Sequence, residues 1–329
     1  MGSGVRAGIL GTGSALPKKV LTNADLEKIV DTNDEWIVTR TGIRERRIAD
    51  EGEATSDYVF KACERALESA HVSAEEVDMV ICATVTPDMA FPATASIVQD
   101  RLGAANAAAF DLSAACSGYL YALSIATGLI ESGRYRYILV SAGDILSRIT
   151  DYEDRGTCVL FGDGAGAILM GPVEEGRGVL AFDLGSDGSG AKYLSMPAGG
   201  SRMPATHESV ANRLHYLKMQ GSETFKFAVK AMVSSTENVL EKAGLTKEDI
   251  DLLVPHQANI RIIDAASRRF GLDDSKVVVT IDKYGNTSAS SIAIALDEAV
   301  RVGRAKKGDL LVLVGFGGGL SWGSVAIRL

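Results

Sequence analysis

Runs of apolar residues alternate with amphipathic segments along this chain, and the order of segments repeats. Residues 77–84 read Val-Asp-Met-Val-Ile-Cys-Ala-Thr, and residues 250–257 form a similar run, Ile-Asp-Leu-Leu-Val-Pro-His-Gln. A segment with the capping-box pattern introduces each run, Ser73–Glu76 before the first and the weaker Thr246–Asp249 before the second. Short apolar runs behind a turn signal are typical of buried strands. Both runs are therefore predicted to be strands in the core.

The segments that flank these two strands also correspond. An amphipathic helix precedes each strand, and the same series follows it: a helix (about 92–103; about 258–270), a strand (107–112; 277–281), a turn that opens another helix (at Cys116; at Asn286), and a last strand pair (137–141 with 166–170; 310–314 with 324–328). Alternating strands and helices favour mostly parallel sheets covered by helices. We expect a duplicated α/β architecture in which two sheets pack through shared helices, with halves at residues 1–173 and 174–329.

Composition excludes several classes of protein. The chain has 329 residues, 46% of them hydrophobic, which is enough for a large core. A formal net charge of -8 argues against nucleic-acid binding, which needs a basic surface. No apolar run is long enough to span a bilayer, so we expect a cytoplasmic protein that does not bind membranes. The four cysteines lack CxxC spacing, so neither a disulfide framework nor a metal site is expected.

Cys116 is the first candidate for chemistry. It lies in Ala-Ala-Cys-Ser-Gly (114–118), between a predicted strand and a predicted helix. A helix N-terminus favours a thiolate, although a free cysteine is more often a buried structural residue. Two later segments favour the nucleophile: Asn286 occupies the helix-opening turn of the second half that matches the turn at Cys116, and His256 lies at the end of the strand that matches 77–84. Cys, His and Asn together can activate a thiol and stabilise an oxyanion, so we expect all three to meet between the halves.

Two further segments are candidates for ligand binding. Residues 33–46 combine Trp36 with several arginines, which suits stacking on an adenine and forking onto phosphates. The alternative is a tryptophan packed on the core with solvated arginines. Gly317, Gly318 and Gly319 follow a predicted strand, where glycines let backbone N–H groups approach a ligand or simply form a tight turn.

The motifs, taken together, resemble the β-ketoacyl-[acyl-carrier-protein] synthase III family of condensing enzymes. The similarity runs nearly end to end: Gly-Thr-Gly-Ser-Ala-Leu-Pro (11–17), Asp-Glu-Trp-Ile-Val-Thr-Arg-Thr-Gly-Ile (34–43), Ala-Ala-Cys-Ser-Gly (114–118), the run 154–167 from Asp-Arg-Gly-Thr-Cys to Gly-Ala-Gly-Ala, Val-Pro-His-Gln-Ala-Asn (254–259), Tyr-Gly-Asn-Thr-Ser (284–288) and Phe-Gly-Gly-Gly-Leu-Ser-Trp-Gly (316–323). The resemblance implies a thiolase-like fold, with two mixed sheets, shared buried helices and five layers (αβαβα). It also implies a homodimer and a role in starting bacterial fatty-acid synthesis.

The resemblance assigns roles residue by residue. It makes Cys116 the acyl-accepting nucleophile, with His256 and Asn286 completing the catalytic triad, and Gly318 a backbone donor opposite that of Cys116. It places Trp36 and Arg155 around the adenine of coenzyme A with Thr32 and Arg40 nearby, Asn259 and Arg261 along the pantetheine tunnel, and Phe91 in the acyl pocket of the partner chain.

The implied reaction has two stages. An acyl-CoA primer, which is a substrate and not a cofactor, acylates Cys116, and malonyl-acyl carrier protein then loses carbon dioxide and condenses with the acyl group. No metal or redox cofactor is expected. An acidic enzyme that recruits an acidic carrier needs a basic face. We expect that face to comprise Lys226, Lys230, Arg261, Arg268 and Arg269.

Several related and unrelated enzymes fit less well. Thiolases carry a second cysteine where Leu320 stands, chain-elongating synthases carry a histidine at Asn286, and hydroxymethylglutaryl-CoA synthase needs a glutamate near 83–87. A papain-like hydrolase also uses Cys, His and Asn but lacks the duplicated pattern, and a non-catalytic carrier-binding protein would not need the triad. The main alternative is a specialised starter ketosynthase or acyltransferase of a polyketide or antibiotic pathway. The sequence does not determine primer length or branching.

Overall fold

The computed structural model describes residues 5–329 as a mixed α/β protein. Within that range the strands are β1 (Arg6–Ala15), β2 (Lys19–Thr22), β3 (Glu45–Ile48), β4 (Met79–Ala83), β5 (Ala108–Leu112), β6 (Ile138–Asp144), β7 (Gly164–Val173), β8 (Gly178–Ser186), β9 (Leu194–Ser195), β10 (Lys218–Met219), β11 (Leu252–Pro255), β12 (Leu310–Gly317) and β13 (Ser321–Arg328). The α-helices are α1 (Asn23–Leu26), α2 (Asp34–Thr41), α3 (Thr55–Ala70), α4 (Thr94–Leu102), α5 (Gly118–Glu131), α6 (Arg155–Cys158), α7 (His207–Ala211), α8 (Gly221–Ala243), α9 (Ile260–Phe270), α10 (Ile281–Tyr284) and α11 (Ser290–Arg301).

The two large sheets have the same strand order. The first sheet runs β1-β7-β6-β4-β5 and the second runs β8-β13-β12-β11. In both sheets the first three strands run antiparallel to one another in turn. The fourth strand is parallel to the third. Two short ribbons, β2-β3 and β9-β10, lie outside these sheets. The predicted duplication is therefore present in the topology, whereas the division at residues 173 and 174 stays a prediction.

The sheets and helices form five layers. Helices α3 and α4 cover the outer face of the first sheet, and α8 and α9 cover the outer face of the second. Helices α5 and α11 lie between the sheets and contact strands of both. Their buried side chains, among them Leu120, Leu123, Ile292 and Leu296, belong to one continuous apolar core with residues of both sheets. This burial is the main stabilising term, and it fixes the two halves against each other.

The predicted strand at residues 277–281 is wrong in its extent. Val277 alone bridges Leu253 in parallel, at the edge where the first sheet has β5. The side-chain oxygen of Gln257 then accepts hydrogen bonds from the backbone N–H groups of Thr280 (2.8 Å) and Ile281 (3.2 Å). Because these donors are occupied by a side chain, no ladder continues, and the chain turns into the short helix α10.

The turn signals before β4 and β11 are confirmed. In both Ser73–Glu76 and Thr246–Asp249 the capping box forms, around one turn of 3₁₀-helix. The helix predicted at about 92–103 begins at Thr94, where Asp111 accepts from the N–H groups of Thr94 (2.7 Å) and Ala95 (2.8 Å). The carboxylate is favourable at this helix N-terminus and joins α4 to β5.

Candidate active site

A narrow cavity of about 280 Å³ leads from the surface to the junction of the two halves. Trp36, Arg40 and Arg261 lie along it, and Cys116, His256 and Asn286 line the same space. We call this cavity the tunnel. The structure thus brings together the three residues that the sequence placed in separate motifs, and joins them to predicted coenzyme A contacts.

Cys116 lies in a 3₁₀ turn, Ala115–Ser117, directly ahead of the central helix α5. The end of β5 leads into this turn, so the strand-to-helix placement expected from the sequence is present. The expected preference for a thiolate, by contrast, is not present. Burial raises the pKa of the Cys116 thiol to about 12, and the nearby Asp144 carboxylate raises it too, while a hydrogen bond from Ser288 opposes the shift. Removal from water is the largest influence on this pKa, and it favours the neutral thiol.

The glycines after β12 lie against the backbone of this turn. A β-carbon added at Gly317 would come within 2.5 Å of the Cys116 nitrogen, so only glycine permits the approach. The next residue, Gly318, lines a second cavity together with Cys116, and its carbonyl accepts from the Ser321 hydroxyl at 3.1 Å. The backbone at Gly318 is therefore held beside Cys116, as the predicted pair of oxyanion donors requires.

His256 follows β11 directly and is buried. Its Nδ1 lies 2.7 Å from the hydroxyl of Ser291, which also accepts a hydrogen bond from Gln257 N–H at 3.1 Å. Among the described residues the only acceptor hydrogen-bonded to that hydroxyl is Nδ1, so Ser291 donates to it and the imidazole carries its proton on Nε2. Burial lowers the pKa of His256 to about 3, which keeps the ring neutral.

Asn286 sits in the turn between α10 and α11. Its Oδ1 accepts from Ser288 N–H at 2.9 Å, which fixes the amide plane. Its backbone is tied to the first half, since Asn286 N–H donates to Leu160 O at 2.9 Å and Gly162 N–H donates to Asn286 O at 3.0 Å. Because Oδ1 is occupied, the Nδ2 donor is the group left for a ligand.

A second cavity, of about 170 Å³, continues past Cys116. Apolar side chains dominate its wall, and Cys116, Phe161 and Leu194 line both cavities. The remaining lining residues include Val85, Leu146, Ile149, Met196 and Leu217. An apolar space beside a nucleophile suits a short hydrocarbon group, and we call it the acyl pocket.

At the tunnel mouth, Trp36 is stacked with arginines. The guanidinium carbons of Arg155 and Arg40 lie 4.7 and 5.0 Å from the Trp36 ring centroid. Arg155 also donates to Asp31 O at 2.9 Å. Because the arginine side chain is already stacked on the indole, an adenine can enter between Trp36 and Arg155 only if Arg155 moves. The Thr32 Oγ1 atom is buried and has no hydrogen-bond partner within residues 5–329.

Asn259 and Arg261 begin helix α9 at the tunnel wall. The Asn259 side chain caps the helix by accepting from Arg261 N–H at 2.9 Å, and its Nδ2 donates to Arg40 O at 3.0 Å. Asn259 thereby joins α9 to the segment that carries Arg40. The guanidinium of Arg261 stacks on Phe225 of α8, 5.5 Å from the ring centroid.

The five basic residues expected to face a carrier protein are all exposed: Lys226, Lys230, Arg261, Arg268 and Arg269. Their surroundings differ along helices α8 and α9. Lys226 and Arg261 are near the tunnel mouth, although Lys226 pairs with Glu223 at 2.9 Å. Arg269 lies eight residues along α9, about 12 Å from Arg261. There it approaches Glu237 of α8 at 4.0 Å.

Phe91 lies in the loop between β4 and α4, and its side chain is 85% exposed. Met89 of the same loop is also exposed. Within this chain Phe91 does not line the tunnel or the acyl pocket. Its predicted role in a partner's acyl pocket stays a prediction.

Sequence reasoning gave no role to three residues that the structure places at the site. Phe225 looked like a core position of an amphipathic helix, but it lines the tunnel. Ser291 contacts His256, and Ser288 contacts the Cys116 sulfur at 3.4 Å. Ser288 belongs to the motif that carries Asn286, so the motif itself was the available signal.

No group of three or more metal-ligating side chains occurs in residues 5–329, and no helix there is long and apolar enough to cross a bilayer.

Comparison with known proteins gives a consistent result. The model of the family "3-Oxoacyl-[acyl-carrier-protein (ACP)] synthase III" matches residues 110–188, and the model of its C-terminal part matches residues 240–329. The chain is 61% identical to the β-ketoacyl-[acyl-carrier-protein] synthase III of Caldanaerobacter subterraneus subsp. tengcongensis over 324 residues, 98% of each chain.

Solved structures agree with the sequence comparison. The crystal structure of 3-oxoacyl-[acyl-carrier-protein] synthase III from Aquifex aeolicus VF5 superposes with a TM-score of 0.91 at 48% identity, covering 99% of this chain and 100% of that one. The priming β-ketosynthase from the R1128 polyketide biosynthetic pathway reaches the same TM-score at 39% identity, covering 98% of this chain and 96% of that one.

Proposed function

Because this chain belongs to the β-ketoacyl-[acyl-carrier-protein] synthase III family of thiolase-like condensing enzymes, we propose that the site described above carries out the family's reaction. The enzyme is an acyltransferase that initiates fatty-acid synthesis. In the proposed reaction it joins an acyl-CoA primer to malonyl-acyl carrier protein, releasing coenzyme A and carbon dioxide. The observation that carries the assignment is the tunnel, which joins Trp36 and Arg261 at its mouth to Cys116, His256 and Asn286 at its inner end.

In the first half-reaction the Cys116 sulfur attacks the thioester carbonyl of the primer. The acyl group becomes attached to Sγ, the carbon–sulfur bond to coenzyme A breaks, and the acyl chain enters the acyl pocket. Negative charge develops on the carbonyl oxygen during the attack. The backbone N–H groups of Cys116 and Gly318 are the donors we assign to that oxygen, supported by the close packing of β12 on the cysteine turn.

In the second half-reaction the malonyl thioester occupies the tunnel. Loss of carbon dioxide leaves an enolate whose oxygen needs hydrogen-bond donors. His256 offers Nε2–H, because Ser291 occupies Nδ1, and Asn286 offers Nδ2–H, because its Oδ1 is occupied by Ser288 N–H. A neutral imidazole is suited to this work because it remains a donor without a buried positive charge. The carbanion then attacks the acyl carbonyl carbon, the bond from that carbon to Cys116 Sγ breaks, and the sulfur leaves as a thiolate.

At the tunnel mouth we propose that Trp36 and Arg155 hold the adenine, with Thr32 and Arg40 beside them. The stacked arrangement of Trp36 and both arginines supports this role, since planar guanidinium and indole groups also stack on a base. Asn259 and Arg261 line the pantetheine path. Thr32 Oγ1, which has no hydrogen-bond partner in residues 5–329, can act there as a donor and acceptor.

We further propose a cytoplasmic homodimer that works without a metal or redox cofactor. Strand β5 is an edge of the first sheet, and its residues are at least partly exposed, which favours pairing with a second copy. Exposed Phe91 and Met89 lie on a neighbouring loop and would be covered by such a partner. Decarboxylation supplies the driving force for the condensation, so the reaction needs no oxidant or reductant.

The test is to acylate the enzyme with acetyl-CoA and no malonyl-acyl carrier protein. Intact-mass and peptide mapping should find the acetyl group on Cys116, which lines the tunnel, and not on Cys63, Cys82 or Cys158, which do not line it. Adding malonyl-acyl carrier protein should then give the 3-oxoacyl product. Cys116→Ala should lose acylation and keep malonyl decarboxylation. Acyl label on another cysteine would contradict the assignment.

A related experiment distinguishes the polyketide alternative. A panel of acyl-CoA primers of increasing length and branching, each with malonyl-acyl carrier protein, reports which primer the acyl pocket accepts. The greater identity to the Aquifex enzyme than to the polyketide priming enzyme supports primary fatty-acid synthesis.

A further inference from the structure

The reaction described above leaves the sulfur of Cys116 without an assigned hydrogen-bond donor. Condensation releases that sulfur as a thiolate, and Cys116 is buried. A negative charge formed at a buried atom needs a donor, because burial removes most of its hydration. His256 and Asn286 are assigned to the enolate oxygen, and the backbone N–H groups of Cys116 and Gly318 to the oxyanion of the acyl group. A further donor is therefore needed at the sulfur itself.

Ser288 places a hydroxyl at this sulfur. Its Oγ donates a hydrogen bond to Cys116 Sγ at 3.4 Å. Ser288 is buried and lines the acyl pocket but not the tunnel, whereas Cys116 lines both. The hydroxyl thus approaches the sulfur from the acyl-pocket side and leaves the tunnel side free for an incoming thioester.

The backbone of Ser288 is held in an unusual conformation. Its φ of 56° lies in the left-handed region, which serine seldom adopts and glycine adopts freely. Two hydrogen bonds maintain it: Ser288 N–H donates to Asn286 Oδ1 at 2.9 Å, and Ser288 O accepts from Ser291 N–H at 3.2 Å. Strain of this kind persists only where the surroundings enforce it, and it is concentrated at active sites. A glycine here would avoid the strain, so the hydroxyl is what the serine adds.

The same turn also carries the residues of the second half-reaction. Asn286 begins the turn, and the hydroxyl of Ser291 lies 2.7 Å from His256 Nδ1. Ser288 lies in sequence between the residue that donates to the enolate and the residue that orients the imidazole. Its hydroxyl contacts a different atom, the nucleophilic sulfur, so its effect can be measured separately from theirs.

We propose that Ser288 is a further catalytic residue, whose hydroxyl stabilises the thiolate of Cys116 in both half-reactions; this inference rests on the proposed function. A thiolate accepts a hydrogen bond more strongly than a thiol or thioester sulfur does, so the contact strengthens as charge forms on Sγ. During acylation the S–H proton leaves to solvent through the tunnel, Sγ bonds to the thioester carbon, and coenzyme A departs as a thiolate that takes up a proton. During condensation the bond from the acyl carbon to Sγ breaks, and its electron pair stays on the sulfur. Ser288 keeps its own proton throughout.

The electrostatics of the site agree with this role. Burial raises the pKa of the Cys116 thiol to about 12, and the hydrogen bond from Ser288 is the largest influence that lowers it. The nearby Asp144 carboxylate acts in the opposite direction. The hydroxyl therefore offsets part of the cost of forming a thiolate here.

The test uses Ser288→Ala and Ser288→Gly in the full-length enzyme. Both remove the hydroxyl, but glycine adopts a positive φ freely and alanine does not, so an effect shared by both comes from the hydroxyl. Single-turnover acylation by acetyl-CoA should slow about tenfold to a hundredfold in both variants, as expected for the loss of a hydrogen bond to a charged group. Ser290→Ala is the control. That buried hydroxyl of the same turn donates to Thr287 O at 2.7 Å, and its removal should leave the acylation rate within about twofold.

Malonyl decarboxylation separates this role from a purely structural one. In a Cys116→Ala background the sulfur is absent, so adding Ser288→Gly should leave carbon dioxide release from malonyl-acyl carrier protein unchanged. A turn that collapsed without the hydroxyl would displace Asn286 and slow this step as well. Equal slowing of decarboxylation and acylation would overturn the proposal, and so would a slowing of acylation confined to the alanine variant.

A third measurement needs no acyl donor. At a fixed pH, iodoacetamide should alkylate Cys116 more slowly in both Ser288 variants than in the native enzyme, because the thiolate is the reactive form. The change should be smaller than for acylation, since a more basic thiolate is also more nucleophilic. Equal alkylation rates in all three proteins would overturn the proposal. If no acyl-CoA primer acylated the native enzyme, the proposed function would fail, and the alkylation rates would still decide the role of Ser288.

Discussion

At the scale of single residues, the site consists of polar groups whose positions are fixed by neighbours rather than by water. His256 and Asn286 are both buried, and in each one side-chain atom is held by a hydrogen bond while another is left for the reaction. Such preorganised donors act strongly in a dry site, because they need no reorientation as charge develops. Residues that hold the catalytic groups therefore matter nearly as much as the groups themselves.

Ser291 provides a test of this principle. Ser291→Ala should slow malonyl decarboxylation about fivefold, because the neutral imidazole loses the hydrogen bond that keeps its proton on Nε2, worth about 1 kcal/mol. Decarboxylation is measured by carbon dioxide release from malonyl-acyl carrier protein in a Cys116→Ala background, so that acylation does not contribute. Acylation by acetyl-CoA should change less.

The same assay has an expected pH profile. Burial lowers the pKa of His256 to about 3, so the ring stays neutral at any pH well above that value. The decarboxylation rate should then show no inflection near 6.5, the value of a free histidine. An inflection near 6.5, or an unaltered rate in Ser291→Ala, would contradict the role assigned to this pair.

At the scale of elements, close packing depends on glycines in β1. A β-carbon added at Gly11 would come within 2.6 Å of Ala70 N in helix α3. Gly11→Ala should therefore destabilise the fold by about 1–3 kcal/mol through overpacking. Gly128→Ala is the matched control, because Gly128 lies within helix α5 with open space at its β-carbon. There alanine should stabilise the helix by about 0.5–1 kcal/mol.

Thermal unfolding of both variants measures the difference. The midpoint should fall for Gly11→Ala and rise slightly for Gly128→Ala. Equal midpoints would mean that β1 and α3 can separate without cost.

The same glycines explain which elements the sequence pattern predicted. Strands β4 and β12 are largely apolar and β6 begins with the apolar run Ile-Leu-Val, so all three were recognised as strands. Strand β1 reads Arg-Ala-Gly-Ile-Leu-Gly-Thr-Gly-Ser-Ala, in which glycines required by helix packing remove the apolar signal. The false strand at 277–281 has the opposite cause. Its residues suit a strand, but the Gln257 side chain takes the backbone donors, and no local pattern reveals that contact.

The sequence likewise predicted some residues of the active site and missed others. Cys116, His256 and Asn286 could be predicted because each lies in a distinctive motif, and the duplication placed them at corresponding turns. The contacts of Ser288 with Cys116 and of Ser291 with His256 could not be predicted from the sequence, since they join residues that are far apart along the chain. Burial, which the local sequence does not show, opposes the predicted thiolate preference.

At the scale of the whole molecule, an acidic enzyme must attract an acidic carrier to one opening. The formal net charge is -8, so the overall field opposes encounter and only a local basic region can favour it. The structure divides the predicted basic residues between the two ends of α8 and α9. Lys226 and Lys230 are exposed and belong to the half of α8 whose Thr224 and Phe225 line the tunnel, whereas Arg269 lies near Glu237 further along.

We therefore expect the lysines near the tunnel, and not Arg269, to recruit the carrier. Lys226→Glu/Lys230→Glu should raise the KM for malonyl-acyl carrier protein at least tenfold at low salt, since it replaces attraction by repulsion at the opening. It should also flatten the dependence of that KM on salt, because screening acts within a Debye length of about 8 Å at physiological ionic strength. Acylation by acetyl-CoA should change little, as neither lysine lines the tunnel.

Arg269→Glu is the control for charge alone. It alters the net charge by two units at a site already beside Glu237, and it should leave the KM within about twofold. An equal effect of Arg269→Glu would mean that the total field of the protein recruits the carrier, and an unchanged KM in the lysine double variant would place the docking surface on another face.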